Sequence, residues 1–125
     1  MRFSSAVITC LSVVLVTGCG PSRERAAARL QQAEAKGDYR AANFYLENLV
    51  RDDPNNISFP VRHADALLHS KDHAYAAAEV REARKLGASA REVTPLLIEA
   101  LVGEGAFADA LATVAVCVQT FDPVG

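Results

Sequence analysis

The chain repeats itself every thirty-four residues. Lys36-Gly37-Asp38-Tyr39-Arg40-Ala41-Ala42 aligns with Ser70-Lys71-Asp72-His73-Ala74-Tyr75-Ala76, and both align with Glu104-Gly105-Ala106-Phe107-Ala108-Asp109-Ala110. Gly37, Lys71 and Gly105 fall in register, as do Tyr39, His73 and Phe107, and Ala42, Ala76 and Ala110. A period of this length marks small units stacked in a row, none of which buries its apolar face alone. The units run over residues 23–56, 57–90 and 91–124. With 125 residues in all, the chain has room for one domain at most.

Within the units the apolar spacing is helical. Ala42, Leu46 and Leu49 recur at intervals of four and three, which is one helix face, while Arg40, Glu47 and Arg51 fall elsewhere. Ala76, Val80 and Ala83 repeat that stripe, with Glu79, Arg81, Glu82, Arg84 and Lys85 on the solvated side. Alanine is abundant and loses no side-chain entropy in a helix. Pro60 and Pro95 are expected near helix starts, where a missing N–H costs little. Gly87, just after Leu86, is placed to stop a helix. The expectation is an all-α fold of antiparallel helix pairs.

These features resemble the tetratricopeptide repeat. Its two small positions correspond to Leu30, Ala64 and Ile98 early in each unit, then to Ala42, Ala76 and Ala110; the early one is truly small only at Ala64. Gly37 and Gly105 sit at the turn between paired helices. Asp53-Pro54-Asn55-Asn56 matches the closing turn of the repeat. The early aromatic is missing, with Ala26, Pro60 and Thr94 in its place. The resemblance implies a solenoid whose concave face is lined by the first helix of each pair. Carried over, that face is Glu24, Ala27 and Gln31; then Val61, Arg62, Asp65, Leu68 and His69; then Glu92, Leu96, Glu99 and Val102. The subset of these repeats that clamps a C-terminal carboxylate uses asparagines where Asp65 and Glu99 stand here. The face therefore suits a basic or apolar segment rather than an acidic tail. The plain alternative is that these residues are solvated helix surface.

The N-terminus reads as an address. Ala6 to Val16 is an apolar run of eleven residues after a single basic residue, Arg2. That is the length of a signal-peptide core and about half of a membrane span. Cleavage by the ordinary peptidase after Gly20 would leave Pro21 at the scissile position, which is a poor site. Val16-Thr17-Gly18-Cys19 instead resembles the bacterial lipobox, in which the cysteine thiol takes a diacylglyceryl group and becomes the first residue of the mature chain. The resemblance makes residues 1–18 a signal-peptide helix, Cys19 the lipidated residue and residues 19–22 a short linker. It places the protein in the cell envelope, lipid-anchored and facing the periplasm. Gly20 in place of aspartate after the cysteine points to the outer membrane. An uncleaved helix over residues 3–20 is the competing reading.

Little else in the sequence carries chemistry. Of three cysteines, Cys10 and Cys19 lie in the leader region and Cys117 has no evident partner, so there is no disulfide framework. The net charge is −2 with no long run of one sign, which argues against nucleic acid as the main partner. His63, His69 and His73 form the most metal-like cluster, but the register gives His63 a packing position and His73 the aromatic place after the turn. Only His69 is expected to face the groove. Cys117 matches the packing positions of Leu49 and Ala83. No phosphate loop, nucleophile motif or paired acid and base is present. The expectation is a non-enzyme with neither metal nor cofactor.

The third unit ends unusually. Ala110 to Val118 carries no charge, whereas a terminal helix should have a polar outer face. Asp122-Pro123 then resembles another closing turn. Such an end is expected to continue into a longer array or to be covered by a partner. The lipobox, the KGDYRAA start and the Arg84-Lys85-Leu86-Gly87-Ala88 close together resemble the N-terminal part of the tetratricopeptide-repeat lipoproteins of the PEP-CTERM/exosortase system. That resemblance implies an interaction scaffold in exopolysaccharide production and protein sorting. Envelope scaffolds that assemble outer-membrane proteins or pili, and a histidine metal-binding module, are the alternatives.

Overall fold

A computed structural model describes residues 21–120. The expected signal helix, Cys10, Cys19 and the Asp122-Pro123 turn lie outside the described residues. Six α-helices follow one another: α1 Pro21–Lys36, α2 Tyr39–Asp52, α3 Ser58–His69, α4 His73–Lys85, α5 Ala90–Gly103 and α6 Phe107–Thr120. No strand occurs among the described residues. Each helix packs on its sequence neighbour, and α3 also touches α5. None of the described helices is long and apolar enough to cross a membrane.

The thirty-four-residue period is written in the backbone hydrogen bonds. The N–H of Asp38 donates to Ala33 O, that of Asp72 to Leu67 O, and that of Ala106 to Leu101 O, at 2.8–2.9 Å. One residue earlier, Gly37 donates to Glu34 O, Lys71 to Leu68 O and Gly105 to Val102 O. These paired bonds cap the last carbonyls of α1, α3 and α5 and need a left-handed residue at the stop. Gly37 (φ 68°) and Gly105 (φ 78°) supply it, and so does Lys71 (φ 64°), the one non-glycine at positive φ among the described residues. A side chain there costs about 1 kcal/mol. Lys71→Gly is therefore expected to stabilise the protein by about 1 kcal/mol, raising Tm by roughly 4–8 °C. An unchanged or lowered melting temperature would contradict this account of the turn.

The connections between pairs differ. The first runs Asp53 to Ile57: the Asp53 N–H closes α2 on Leu49 O, and Asn56 Oδ1 accepts from the backbone N–H and hydroxyl of Ser58 at the head of α3. Arg23 pairs with Asp53 and ties this turn back to α1. In the second, Leu86 to Ser89 link α4 to α5, with Gly87 (φ 102°) as the left-handed stop. So early a stop starts α5 at Ala90, which puts Pro95 inside the helix rather than at its head. This corrects the expectation for Pro95; Pro60, third in α3, lies where expected.

The expected stripes form the core. Ala42, Leu46, Leu49, Ala76, Val80 and Ala83 are all buried. They divide into two clusters. Leu30, Ala33, Ala42, Leu46 and Leu49 meet Ala66 of α3, while Ala64, Leu67 and Leu68 face α4, α5 and Ala110. Helix α3 thus has both sides covered, as the middle of a stack requires.

Candidate functional site

The residues expected to form an interaction face divide by burial. Glu24, Ala27 and Gln31 of α1 are exposed, as are Asp65 and His69 of α3 and Glu92, Glu99 and Val102 of α5. Val61 and Leu96 are half-buried and pack against the larger core cluster. Leu68 is the exception: at 3% exposure it belongs to the core, because it continues the Ala64 stripe toward α4 and α5. It offers no surface to a partner, and its place in the expected face is corrected here.

The exposed members carry mostly negative charge. Asp65 and Glu99 occupy one register position on α3 and α5, with Gln31 at the same position on α1. Arg62 is the basic member, and it is engaged. Its Nη2 and Nε donate to the two carboxylate oxygens of Glu34 at 2.6 and 3.1 Å, joining α3 to α1. Both partners are partly exposed, so this bidentate pair fixes orientation more than it adds stability. His69 is also committed: its ring stacks on Tyr39 at 4.2 Å, and its Nδ1 lies 2.9 Å from the Asp65 carbonyl oxygen.

The three histidines do not converge. His63 is buried with Nδ1 3.3 Å from Glu79 Oε1, His69 lies against Tyr39, and the His73 ring occupies the space beside Gly103. No group of three or more His, Cys, Asp or Glu placed to hold a metal occurs among the described residues. Cys117 is half-buried, unlike Leu49 and Ala83 at the same register, which are fully covered. The hydroxyls of Ser70, Thr113 and Thr120 donate to carbonyls one turn back, that of Ser58 donates to Asn56 Oδ1, and none bonds a histidine.

A second acidic surface was not foreseen. A cleft of about 470 Å³ opens beside α3 between α2 and α4, lined by Asn43, Phe44, Glu47, His63, Leu67, Asp72, Tyr75 and Glu79. Phe44 and Tyr75 stand mostly in solvent at its rim. Three carboxylates and the rings of Phe44 and Tyr75, with no lysine or arginine and with His63 against Glu79, form surroundings that favour a cation. Asn43 uses its amide N–H on Ser70 Oγ and leaves a buried carbonyl oxygen without a donor, a further acceptor in the lining. The sequence signal for it was faint: large aromatics at Phe44 and Tyr75, on helix positions that the apolar stripe leaves in solvent. Its members come from three helices and the turn before α4, and no linear motif joins them.

Both surfaces are thus lined mainly by carboxylates among their charged residues. No family model, curated protein or solved structure matches the chain.

Proposed function

We propose that this protein is a lipid-anchored scaffold of the tetratricopeptide type that binds other proteins in the bacterial envelope, within the PEP-CTERM/exosortase system. The observation that carries this reading is the recurrence of one helix-pair turn at thirty-four-residue intervals, with the same backbone bonds in all three units. That is the length of the tetratricopeptide unit. The lipobox-like Val16-Thr17-Gly18-Cys19 supports the anchor, since a cysteine placed just beyond an apolar run can carry acyl chains.

The partner is a basic segment. Glu24, Asp65, Glu92 and Glu99 on the first helices favour lysine or arginine side chains, and the cleft beside His63 favours the same chemistry. Asp65→Lys combined with Glu99→Lys tests this, because both positions are exposed and the fold does not need them. The expected result is an unchanged circular-dichroism spectrum with loss of the partner that the native protein cross-links in the envelope. Retention of that cross-link would refute the acidic face.

A further inference from the structure

We propose that the cleft beside α3 is a pocket for the guanidinium group of an arginine side chain, carried by the basic partner segment. The site rests on the basic-segment reading above and narrows it to one side chain and one place. The cleft is bounded by α2, α3 and α4, in the middle of the stack. Glu47, Asp72 and Glu79 supply its negative charge, and no lysine or arginine lines it. Its volume of about 470 Å³ leaves room for an extended cation.

The lining also holds two buried polar atoms without hydrogen bonds. One is Asn43 Oδ1. The Ser70 hydroxyl donates its single proton to Ala66 O at 3.1 Å, so toward Asn43 it can only accept. It accepts from the Asn43 amide nitrogen at 2.9 Å, which fixes the orientation of the amide and leaves its carbonyl oxygen as an acceptor in the cleft wall. The other is His63 Nδ1. The residue is 8% exposed, and this nitrogen makes no hydrogen bond although Glu79 Oε1 is 3.3 Å away. With its proton on Nε2, the neutral ring offers Nδ1 as a second acceptor. Buried acceptors are ordinarily paired, so each calls for a donor that no described residue provides.

The arrangement selects among cations. No group of three His, Cys, Asp or Glu among the described residues is placed to hold a metal, so these carboxylates stand too far apart to share one small ion. A lysine ammonium is a compact charge with three donors. A guanidinium group is flat, carries five donors in a fixed fork and stacks on aromatic faces. Phe44 on α2 and Tyr75 on α4 stand at the rim, 62% and 67% exposed, and offer such faces from the two flanking helices. Residues 1–20 and 121–125 hold one basic side chain, Arg2, so charge gives these segments of the chain little to place there.

The chain has no tryptophan, so Tyr75→Trp places a single indole at the rim and keeps a ring there. The full chain with this change is titrated with acetyl-Gly-Arg-Gly-amide, with its lysine counterpart, and with its citrulline counterpart, which keeps the shape of arginine without the charge. The expected result is a saturable change in indole emission with the arginine peptide, at least about fivefold tighter than with the lysine peptide, the size of one guanidinium–ring contact. The citrulline peptide is expected to give no saturable change. Adding Glu47→Gln and Glu79→Gln is expected to weaken the arginine titration about tenfold with helix content unchanged. Glu47→Gln alone, at an exposed position, carries the same test if the pair unfolds. Equal response to arginine and lysine, no saturable response to arginine, or a response untouched by these variants would overturn the pocket. If Arg2→Ala itself tightens the titration, the cleft belongs to the chain's own arginine and the partner is overturned as occupant. A dimer that the arginine peptide dissociates would overturn it too, by giving the cleft to a second copy. Partner loss in the Asp65→Lys, Glu99→Lys protein alongside a failed titration would leave the basic-segment reading standing and remove the pocket alone.

Discussion

Leu46→Ala is expected to destabilise the protein by about 2–5 kcal/mol, and to do so at one end of the molecule. Leu46 is 0% exposed and sits among Leu30, Ala33, Ala42 and Leu49, closed by Ala66 of α3. Removing three carbons there leaves a cavity that neighbouring alanines have little side chain to fill. Domains of this size are stable by only about 5–15 kcal/mol, so the loss is a large share. In a stacked array each unit leans on its neighbours, and damage stays near its origin. The second cluster, with Val80, Val93 and Leu101, shares α3 with the first but none of its other helices. Hydrogen exchange is therefore expected to quicken in α1 and α2 far more than in α5. A loss below 1 kcal/mol, or an equal rise in all six helices, would contradict the two-cluster account.

The second large effect concerns Cys19. Cys19→Ser is expected to move the protein from the membrane fraction to the soluble fraction. None of the described helices is long and apolar enough to cross a bilayer, and in the proposed reading acyl chains on Cys19 supply the anchor. Each buried methylene contributes about 0.8 kcal/mol, and two or three acyl chains hold where one does not. Serine keeps the size of the side chain and removes the thiol that the acyl transfer needs. A Cys19→Ser protein still firmly in membranes would remove the lipid from the account and favour an uncleaved apolar helix over residues 3–20.

Much of the helix-pair architecture could be read in the sequence because its determinants are local. Gly37 and Gly105 announce left-handed stops, Asp38 accepts from the Ala41 N–H at the head of α2, and the Ala42-Leu46-Leu49 stripe fixes the buried face. Lys71 hid the middle stop, and only its alignment with the two glycines revealed it. The interaction face was harder. Leu68 lies one helical turn from the exposed Asp65, yet points into the core, and spacing alone could not separate them. The carboxylate cleft was invisible because Glu47, His63 and Glu79 belong to three helices. So was the contact between His73 and Gly103: a Cβ on Gly103 would stand 2.3 Å from the His73 ring, so any larger residue there would displace the ring. Nothing within either helix marks that requirement.

The anchored scaffold is tested most directly by the N-terminal peptide of the protein isolated from membranes, sequenced by mass spectrometry after digestion. The account predicts a first residue at Cys19 carrying a diacylglyceryl thioether. An unmodified peptide that begins at Met1 would contradict it.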